Sequence, residues 1–160
     1  MFDWIMWDGN AAIGVFIRIL ISFLLALPIG WERERNARSL GLRTFPLVAV
    51  ASTAYLTIAE ELFVQSQDAQ SRVLQGLMAG IGFIGGGAIL KRNDSTVEGT
   101  ATAAGVWATG ALGASVAYGR LDIALAISLI TFFTFGFITP LKQAIDRQRE
   151  ESGKGGNYDA

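Results

Sequence analysis

Long apolar stretches alternate with short polar segments along the whole chain. Four stretches carry no charged residue and a fifth contains only Arg18; they cover residues 11–31, 44–59, 73–90, 99–119 and 123–141. A helix needs about 20 predominantly apolar residues to cross a hydrocarbon core of about 30 Å. No period-2 alternation indicates a membrane barrel. The pattern therefore predicts an all-α polytopic membrane protein, with five transmembrane helices at about 11–31, 44–63, 73–90, 100–118 and 121–141.

Basic residues concentrate in the segments that follow predicted helices one, three and five. Ten of the 13 lie there, whereas the segments on the opposite side hold only Arg72 and Arg120. Because cytoplasmic loops collect Lys and Arg, we expect the amino terminus outside and the carboxyl terminus in the cytoplasm. The polar tail, residues 142–160, has little to bury and is expected to be partly disordered.

Composition narrows the chemistry that this membrane domain can perform. The 160 residues are 51% hydrophobic and include no cysteine and no histidine. Disulfides, thiolate metal sites, cysteine nucleophiles and histidine general bases are therefore excluded, and we expect no enzyme activity. The formal charge of −1 offers no field to attract nucleic acid. Any ligand would have to be held by carboxylates, hydroxyls or main-chain groups, which suits a hard cation such as Mg²⁺.

Glycines in predicted helix three set it apart from an ordinary apolar span. At about 100° per residue, Gly76, Gly80 and Gly87 fall within about 40° of one another. They form a smooth strip, called the glycine strip below, that would let another helix approach closely. The strip is therefore predicted to be a helix-packing or oligomer face.

A second interpretation concerns the segment GFIGGG at the end of the same helix. Three consecutive glycines weaken a helix more than packing requires. The segment could therefore be a discontinuous helix whose backbone faces a polar cavity, as in some transporters. Its glycines are Gly82, Gly85, Gly86 and Gly87.

Predicted helix four carries a small, hydroxyl-bearing stripe. Thr102, Gly105, Thr109 and Gly113 recur at intervals of three or four residues and share one face. Such a stripe is typical of close helix packing, with threonine hydroxyls bonding carbonyls one turn back or on a neighbour. We expect it to dock against the glycine strip, which would place helices three and four at the centre of the protein.

Four segments along the chain form a recognisable series: Gly30, Glu32 and Arg33 at the end of helix one, GLRT at 41–44, RVLQGLMAGIGFIGGGAI at 72–89 and VEGTATAAGVWATGALGASVAYG at 97–119. Together they resemble the MgtC/SapB family of bacterial inner-membrane proteins. The resemblance implies a hydrophobic domain of the bacterial cytoplasmic membrane, linked to magnesium limitation, to virulence in some members and to regulation through partner membrane proteins. Many members continue into a cytoplasmic domain, which this chain is expected to lack. Where members often carry a polar residue, this chain has Ala101.

Charged residues on the outer side form the next candidate group. Arg18 lies within helix one and is expected either to snorkel to the surface or to pair with Glu60, Glu61 or Asp122. Acidic residues near the outer ends could bind a hydrated Mg²⁺, since one or two carboxylates suffice for that ion. The outer rim comprises Arg18, Glu60, Glu61, Asp68, Arg72 and Asp122.

A cytoplasmic rim of alternating charges follows helix one and helix three. It is expected either to form intramolecular salt bridges or to bind a partner or anionic lipid headgroups. The family motifs single out Glu32, Arg33, Arg43 and Thr44, and the rim also includes Asp94 and Glu98.

Two functions are compatible with these features. The first is a non-enzymatic membrane protein that acts through contact with itself, a dimer being favoured, or with another membrane protein. Membrane lipids are its other partners, and no nucleic acid is expected. The second is a cation transporter or channel, for Mg²⁺ in particular, which uses the acidic outer rim, the glycine break and the threonine stripe as its path.

Overall fold

The computed structural model describes residues 9–36, 40–93 and 96–138, with isolated positions 141, 145 and 148 beyond them. Within these ranges the chain forms five α-helices, a two-stranded hairpin and a closing π-helical segment. The helices are α1 Gly9–Asn36, α2 Thr44–Leu62, α3 Gln67–Gly87, α4 Thr100–Ala117 and α5 Leu121–Phe133, which continues as a π-helix over Thr134–Ile138. The hairpin pairs β1 Leu90–Asn93 with β2 Thr96–Glu98 in antiparallel register.

The prediction of an all-α membrane protein is confirmed. Among the described residues, three helical stretches are long and apolar enough to cross a membrane: Gly9–Arg35, Thr44–Leu62 and Leu121–Ile138. Helices α3 and α4 have 21 and 18 residues but are not among these three, because glycines and polar residues lower their mean hydropathy: α3 includes three glutamines, an aspartate and an arginine, and α4 includes three threonines. The small residues of α4 allow it to pack closely against its neighbours.

The boundaries of α3 differ from the predicted span of 73–90. The helix begins at Gln67 because the hydroxyl of Ser66 accepts a hydrogen bond from the Ala69 amide at 3.3 Å. It ends at Gly87, and the chain enters the polar hairpin at Leu90. The hairpin returns so close to the end of α3 that a Cβ at Gly99 (φ +92°) would collide with the Ala88 carbonyl. Helix α1 likewise extends past predicted residue 31, to Asn36. The predicted tail, 142–160, lies outside the described residues apart from positions 145 and 148.

Helix α4 is the centre of the bundle and contacts all four other helices. Nine of its 18 residues are buried, and its closest partner is α2. At Gly113 the two backbones approach so closely that a Cβ would collide with the carbonyl of Ala49. The hydroxyl of Thr53 donates to the Gly113 carbonyl across this contact at 2.9 Å. Hydrophobic burial does not drive helices together in lipid. The small residues stabilise this contact because they let the two helices pack closely.

Helix α3, in contrast, lies at the edge of the bundle. Of its 21 residues, all of which the structure describes, only Ile81 and Gly85 are buried. Contacts to α4 are made through Ile81 against Gly110 and through Gly85 against Ala103. Most of the other α3 residues are exposed, so much of the helix surface faces the surroundings of the protein.

Candidate functional site

An apolar groove lies between α2 and α3. Its volume is about 770 Å³, within the range of roughly 300–1,000 Å³ that ligand sites usually have. Helix α2 lines it with residues between Thr44 and Tyr55, and helix α3 lines it with residues between Val73 and Ile84.

The glycine strip borders this groove and does not contact α4. Gly76 and Gly80 line the groove, and a Cβ added at either of them or at Gly87 would meet no atom within 4 Å. The expected docking of the strip onto α4 is therefore not found. The reason is rotational: the buried contacts of α3, Ile81 and Gly85, lie about 140° and 180° around the helix from Gly76.

The segment GFIGGG is helical up to its last residue. Helix α3 runs without interruption to Gly87, so the predicted discontinuity at Gly82, Gly85, Gly86 and Gly87 is not found within the helix. The helix ends just afterwards in tighter turns, where the Ala88 and Ile89 amides donate to the carbonyls of Gly85 and Gly86 at 3.0 and 3.1 Å. Gly82 lies 3.8 Å, measured from its added Cβ, from the indole nitrogen of Trp107. The glycines therefore terminate a helix at the hairpin.

The threonine and glycine stripe of α4 is buried by packing within the chain. Thr102, Gly105, Thr109 and Gly113 are all buried. A Cβ at Gly105 would collide with the ring of Phe135, and the Thr109 hydroxyl donates to the Gly105 carbonyl at 2.8 Å. The partners of this stripe are α1, α2 and the π-helical segment, so the stripe offers no open face.

On the outer side, Arg18 joins three helices. Its guanidinium donates to the carboxylate of Glu60 at 3.2 Å and to the carbonyl of Ala117 at 3.3 Å. Glu60 is one of the three partners that the sequence offered. Because Ala117 is the last residue of α4, the cation also lies at the negative end of that helix. Both side chains of the ion pair remain partly exposed, by 43% and 46%.

The remaining outer residues do not gather into a site. Glu61, Asp68 and Arg72 are exposed, while Arg120 and Asp122 bond each other at 2.8 Å. The hydrogen bonds that the Arg120 guanidinium donates to the Asp122 carboxylate raise the pKa of Arg120. No three carboxylates in the described part of the chain lie close enough together to hold a metal ion. The outer rim thus holds no cluster of three carboxylates among the described residues, and binding of a hydrated Mg²⁺ by one or two of them stays a prediction.

At the opposite end of the bundle, Arg33 is buried beneath the cytoplasmic rim. Only 7% of its surface is exposed, and its guanidinium donates to the Thr102 hydroxyl at 2.5 Å. The same group lies over the ring of Phe135, 4.7 Å from the centroid. Its Nε is buried and has no partner among the described residues. The sequence did not indicate that Phe135 contacts Arg33, because the position of Phe135 depends on the π-helical turn.

The other members of the rim lie nearer the surface. Glu32 is half-buried close to Gly136, Glu98 is exposed, and Asp94 lies outside the described residues. Arg43 is exposed at the amino-terminal boundary of α2, and Thr44 lines the groove.

One contact within the rim was not predicted. The carboxylate of Glu34 accepts a hydrogen bond from the Leu42 amide at 3.0 Å. It packs so closely against Gly41 that a Cβ there would collide with it. This contact explains why glycine begins the GLRT motif that connects α1 to α2.

The sequence was compared with known families and proteins. A sequence model described as the MgtC family matches residues 19–144. SrpB of Synechococcus elongatus is 36% identical over 82% of this chain and 76% of its own length. YhiD of Escherichia coli K12, which bears the provisional name of a magnesium transporter, is 33% identical over 72% of this chain and 56% of its own. MgtC of Brucella abortus is 32% identical over 82% of this chain and 54% of its own.

These matches cover different shares of the relatives. The chain spans about three quarters of SrpB but only about half of YhiD and of the Brucella MgtC. No solved structure matches the chain at a significant level.

Proposed function

Since the chain belongs to the MgtC family, we propose that it is a non-enzymatic protein of the bacterial cytoplasmic membrane, linked to magnesium homeostasis or stress adaptation. It acts by contact with a second copy of itself or with another membrane protein. The names of two relatives support the link to magnesium: MgtC in Brucella, and YhiD with its provisional transporter name. The amino terminus lies outside and the carboxyl terminus in the cytoplasm, in accordance with the distribution of basic residues.

The observation that carries this proposal is the exposure of α3. Helices α3 and α4 both fall short of the apolar character of a lipid-facing span. Helix α4 is protected because nine of its residues are buried, whereas α3 buries only two. Much of the α3 surface is therefore not covered by the described residues of its own chain, and a second membrane helix is a suitable partner for it.

The glycine strip gives the contact with a second helix a specific geometry. Gly76 and Gly80 are four residues apart in the small-xxx-small arrangement that lets two helix backbones approach closely in lipid. Neither glycine meets any atom of its own chain within 4 Å of an added Cβ. Because the same strip on two copies is self-complementary, a two-fold dimer is the favoured assembly.

Transport of a cation is the alternative function, and the polar groups of the bundle argue against it. Arg18 is engaged with Glu60 and with a carbonyl, and the hydroxyls of Thr53 and Thr109 bond main-chain oxygens. Each of these groups already has a hydrogen-bond partner within the chain. None of them lines the groove, whose surface is mainly apolar. A conduction path normally requires polar groups turned toward water.

Self-association can be measured in lipid with a single reporter cysteine, because the chain has none of its own. Ser71→Cys at the exposed outer end of α3 is labelled with donor or acceptor dye, and energy transfer is followed as the protein is diluted in liposomes. We expect Gly76→Leu and Gly80→Leu to weaken dimer formation at least tenfold. Gly14→Leu is the matched control, since it adds the same side chain at an equally open position of α1.

The same preparation separates the two functions. The proposal predicts that variants with weakened association lose the ability to support growth at limiting Mg²⁺, while Gly14→Leu retains it. It also predicts that liposomes containing the wild-type protein admit no Mg²⁺ above background. Entry of Mg²⁺ that survives Gly76→Leu would support the transporter and overturn the interaction proposal. So would a wild-type protein that is monomeric at every lipid ratio and cross-links to no other membrane protein.

A further inference from the structure

The groove between α2 and α3 has the depth of one membrane leaflet. It extends from Thr44 to Tyr55 on α2 and from Ile84 back to Val73 on α3. Eleven residue steps at 1.5 Å each give about 16 Å along either helix, and half of a typical hydrocarbon core is about 15 Å. The length of the groove, measured from the first residue of α2, therefore matches the depth of one leaflet.

Its lining suits a flexible hydrocarbon chain. Ala51, Ser52, Gly76 and Gly80 contribute small residues to the lining, and larger apolar residues supply the rest. The hydroxyl of Ser52 is already bonded to the Val48 carbonyl at 2.8 Å, so it presents no free donor. The other polar side chains of the lining, Thr44 and Tyr55, stand at the two ends.

The end of the groove at the membrane surface is positively charged. Arg43 directly precedes Thr44, is exposed, and forms no ion pair with any residue that the structure describes. Lys91 and Arg92 follow the end of α3 in β1, at the same end of the bundle. The nearby Glu34 carboxylate accepts a hydrogen bond from the Leu42 amide. An anionic headgroup would therefore meet the exposed Arg43 guanidinium at the point where an acyl chain enters the groove.

We propose that this groove binds an anionic phospholipid, with one acyl chain between α2 and α3 and the phosphate beside Arg43. The lipid belongs to the leaflet at the Arg43 end, which the predicted orientation places in the cytoplasm. This inference does not rest on the proposed function, because a monomer would hold the lipid equally well. A second copy that packs on Gly76 and Gly80 would compete with the lipid for the groove.

Native mass spectrometry of the purified full chain tests the proposal with two probes of identical acyl chains, phosphatidylglycerol and phosphatidylcholine. We expect one phosphatidylglycerol per chain to be retained in preference to phosphatidylcholine. Arg43→Gln is expected to reduce the preference for phosphatidylglycerol about fivefold, as the loss of one juxtamembrane cation implies. Arg35→Gln, which removes an equivalent exposed cation at the end of α1, is the matched control and should leave the preference unchanged.

A second pair of variants tests the acyl-chain site apart from the charge. Ala51→Phe fills the groove from the α2 side and is expected to weaken binding of both lipids at least tenfold. Ala79→Phe adds the same ring on an exposed part of α3 that does not line the groove, and it should have no effect. Circular dichroism and size-exclusion chromatography confirm that each variant is folded.

Two results would overturn the proposal. They are equal retention of the two lipids, and unchanged binding in both Arg43→Gln and Ala51→Phe. Failure of the proposed function looks different, because it would leave a monomer that still retains phosphatidylglycerol and responds to Ala51→Phe.

Discussion

The guanidinium of Arg33 lies over the ring of Phe135, with Cζ 4.7 Å from the ring centroid. Arg33 belongs to the last turns of α1, and Phe135 belongs to the π-helical segment that ends the described part of the bundle. The ring also packs edge-on against Phe45 of α2, at a centroid distance of 6.1 Å. One aromatic residue thus holds a buried cation and connects the first, second and last helices of the bundle.

This relationship predicts a measurable coupling between the two residues. Phe135→Leu should lower the free energy of unfolding by about 1–2 kcal/mol, since leucine keeps apolar volume but offers neither a π face nor a ring edge. In an Arg33→Met background the same change should cost about 0.5–1 kcal/mol less, because the cation is gone. Equilibrium unfolding in mixed micelles, followed by circular dichroism, measures both values.

Phe137→Leu provides the control for that cycle. Phe137 lies in the same π-helical segment but is 64% exposed and stacks only on Phe133 among the described rings. Its replacement is expected to change the free energy of unfolding by less than about 0.5 kcal/mol. If Phe135→Leu lowered the free energy of unfolding equally with and without Arg33, the contact between the cation and the ring would not contribute to stability.

The position of Phe135 illustrates where prediction from sequence ends. Apolar stretches located five helices, because crossing a hydrocarbon core demands length and apolar character. Assigning faces by about 100° per residue fails in a π-helix, whose i→i+5 hydrogen bonds change the rotation between residues. No sequence pattern therefore placed Phe135 against Arg33 and Gly105.

The small-residue faces show a second limit of the sequence. Spacing correctly grouped Thr102, Gly105, Thr109 and Gly113 on one face, and all four are buried. Spacing within one helix says nothing about which neighbour covers that face, and the neighbours are α1, α2 and the π-helical segment instead of the glycine strip. The hairpin after α3 was missed because its strands are short and polar, a pattern shared with ordinary loops.

Two glycines in different surroundings should respond oppositely to the same substitution. A Cβ at Gly113 would collide with the Ala49 carbonyl and lie 2.8 Å from the Ser52 Cβ. Since neither backbone can move without disturbing the α2 and α4 contact, Gly113→Ala should destabilise the protein by about 1–3 kcal/mol. Gly14→Ala meets no atom within 4 Å and should be neutral or stabilising by up to about 1 kcal/mol. Thermal unfolding in detergent distinguishes the two, and a stable Gly113→Ala protein would contradict the close approach.

The ion pair between Arg18 and Glu60 is expected to contribute little by itself. Both side chains are more than 40% exposed, and exposed pairs contribute between 0 and about 1 kcal/mol. Arg18→Gln should nevertheless cost more than Glu60→Gln, because only the arginine also bonds the Ala117 carbonyl at the end of α4. A double-mutant cycle measures the coupling. A coupling above about 2 kcal/mol would mean that the pair is shielded from water.

Thr53 and Thr57 lie one turn apart on α2, and both are buried, yet their hydroxyls differ. Thr53 donates to the Gly113 carbonyl at 2.9 Å, whereas Thr57 Oγ1 has no partner within the described part of the chain. Thr53→Val should therefore destabilise the protein by about 0.5–1.5 kcal/mol, through the lost hydrogen bond. Thr57→Val removes a buried polar group that is left unsatisfied and should be neutral or stabilising by about 1 kcal/mol.

The two valine variants control each other, because each exchanges one hydroxyl for a methyl group at nearly constant volume on the same helix. The sign of the difference is therefore more informative than either value, since changes in helix propensity and in apolar volume cancel between them. Chemical unfolding of both variants in the same micelles gives that difference. If Thr57→Val destabilised the protein as much as Thr53→Val, the Thr57 hydroxyl would have a partner, and a buried water is the group that fits such a position.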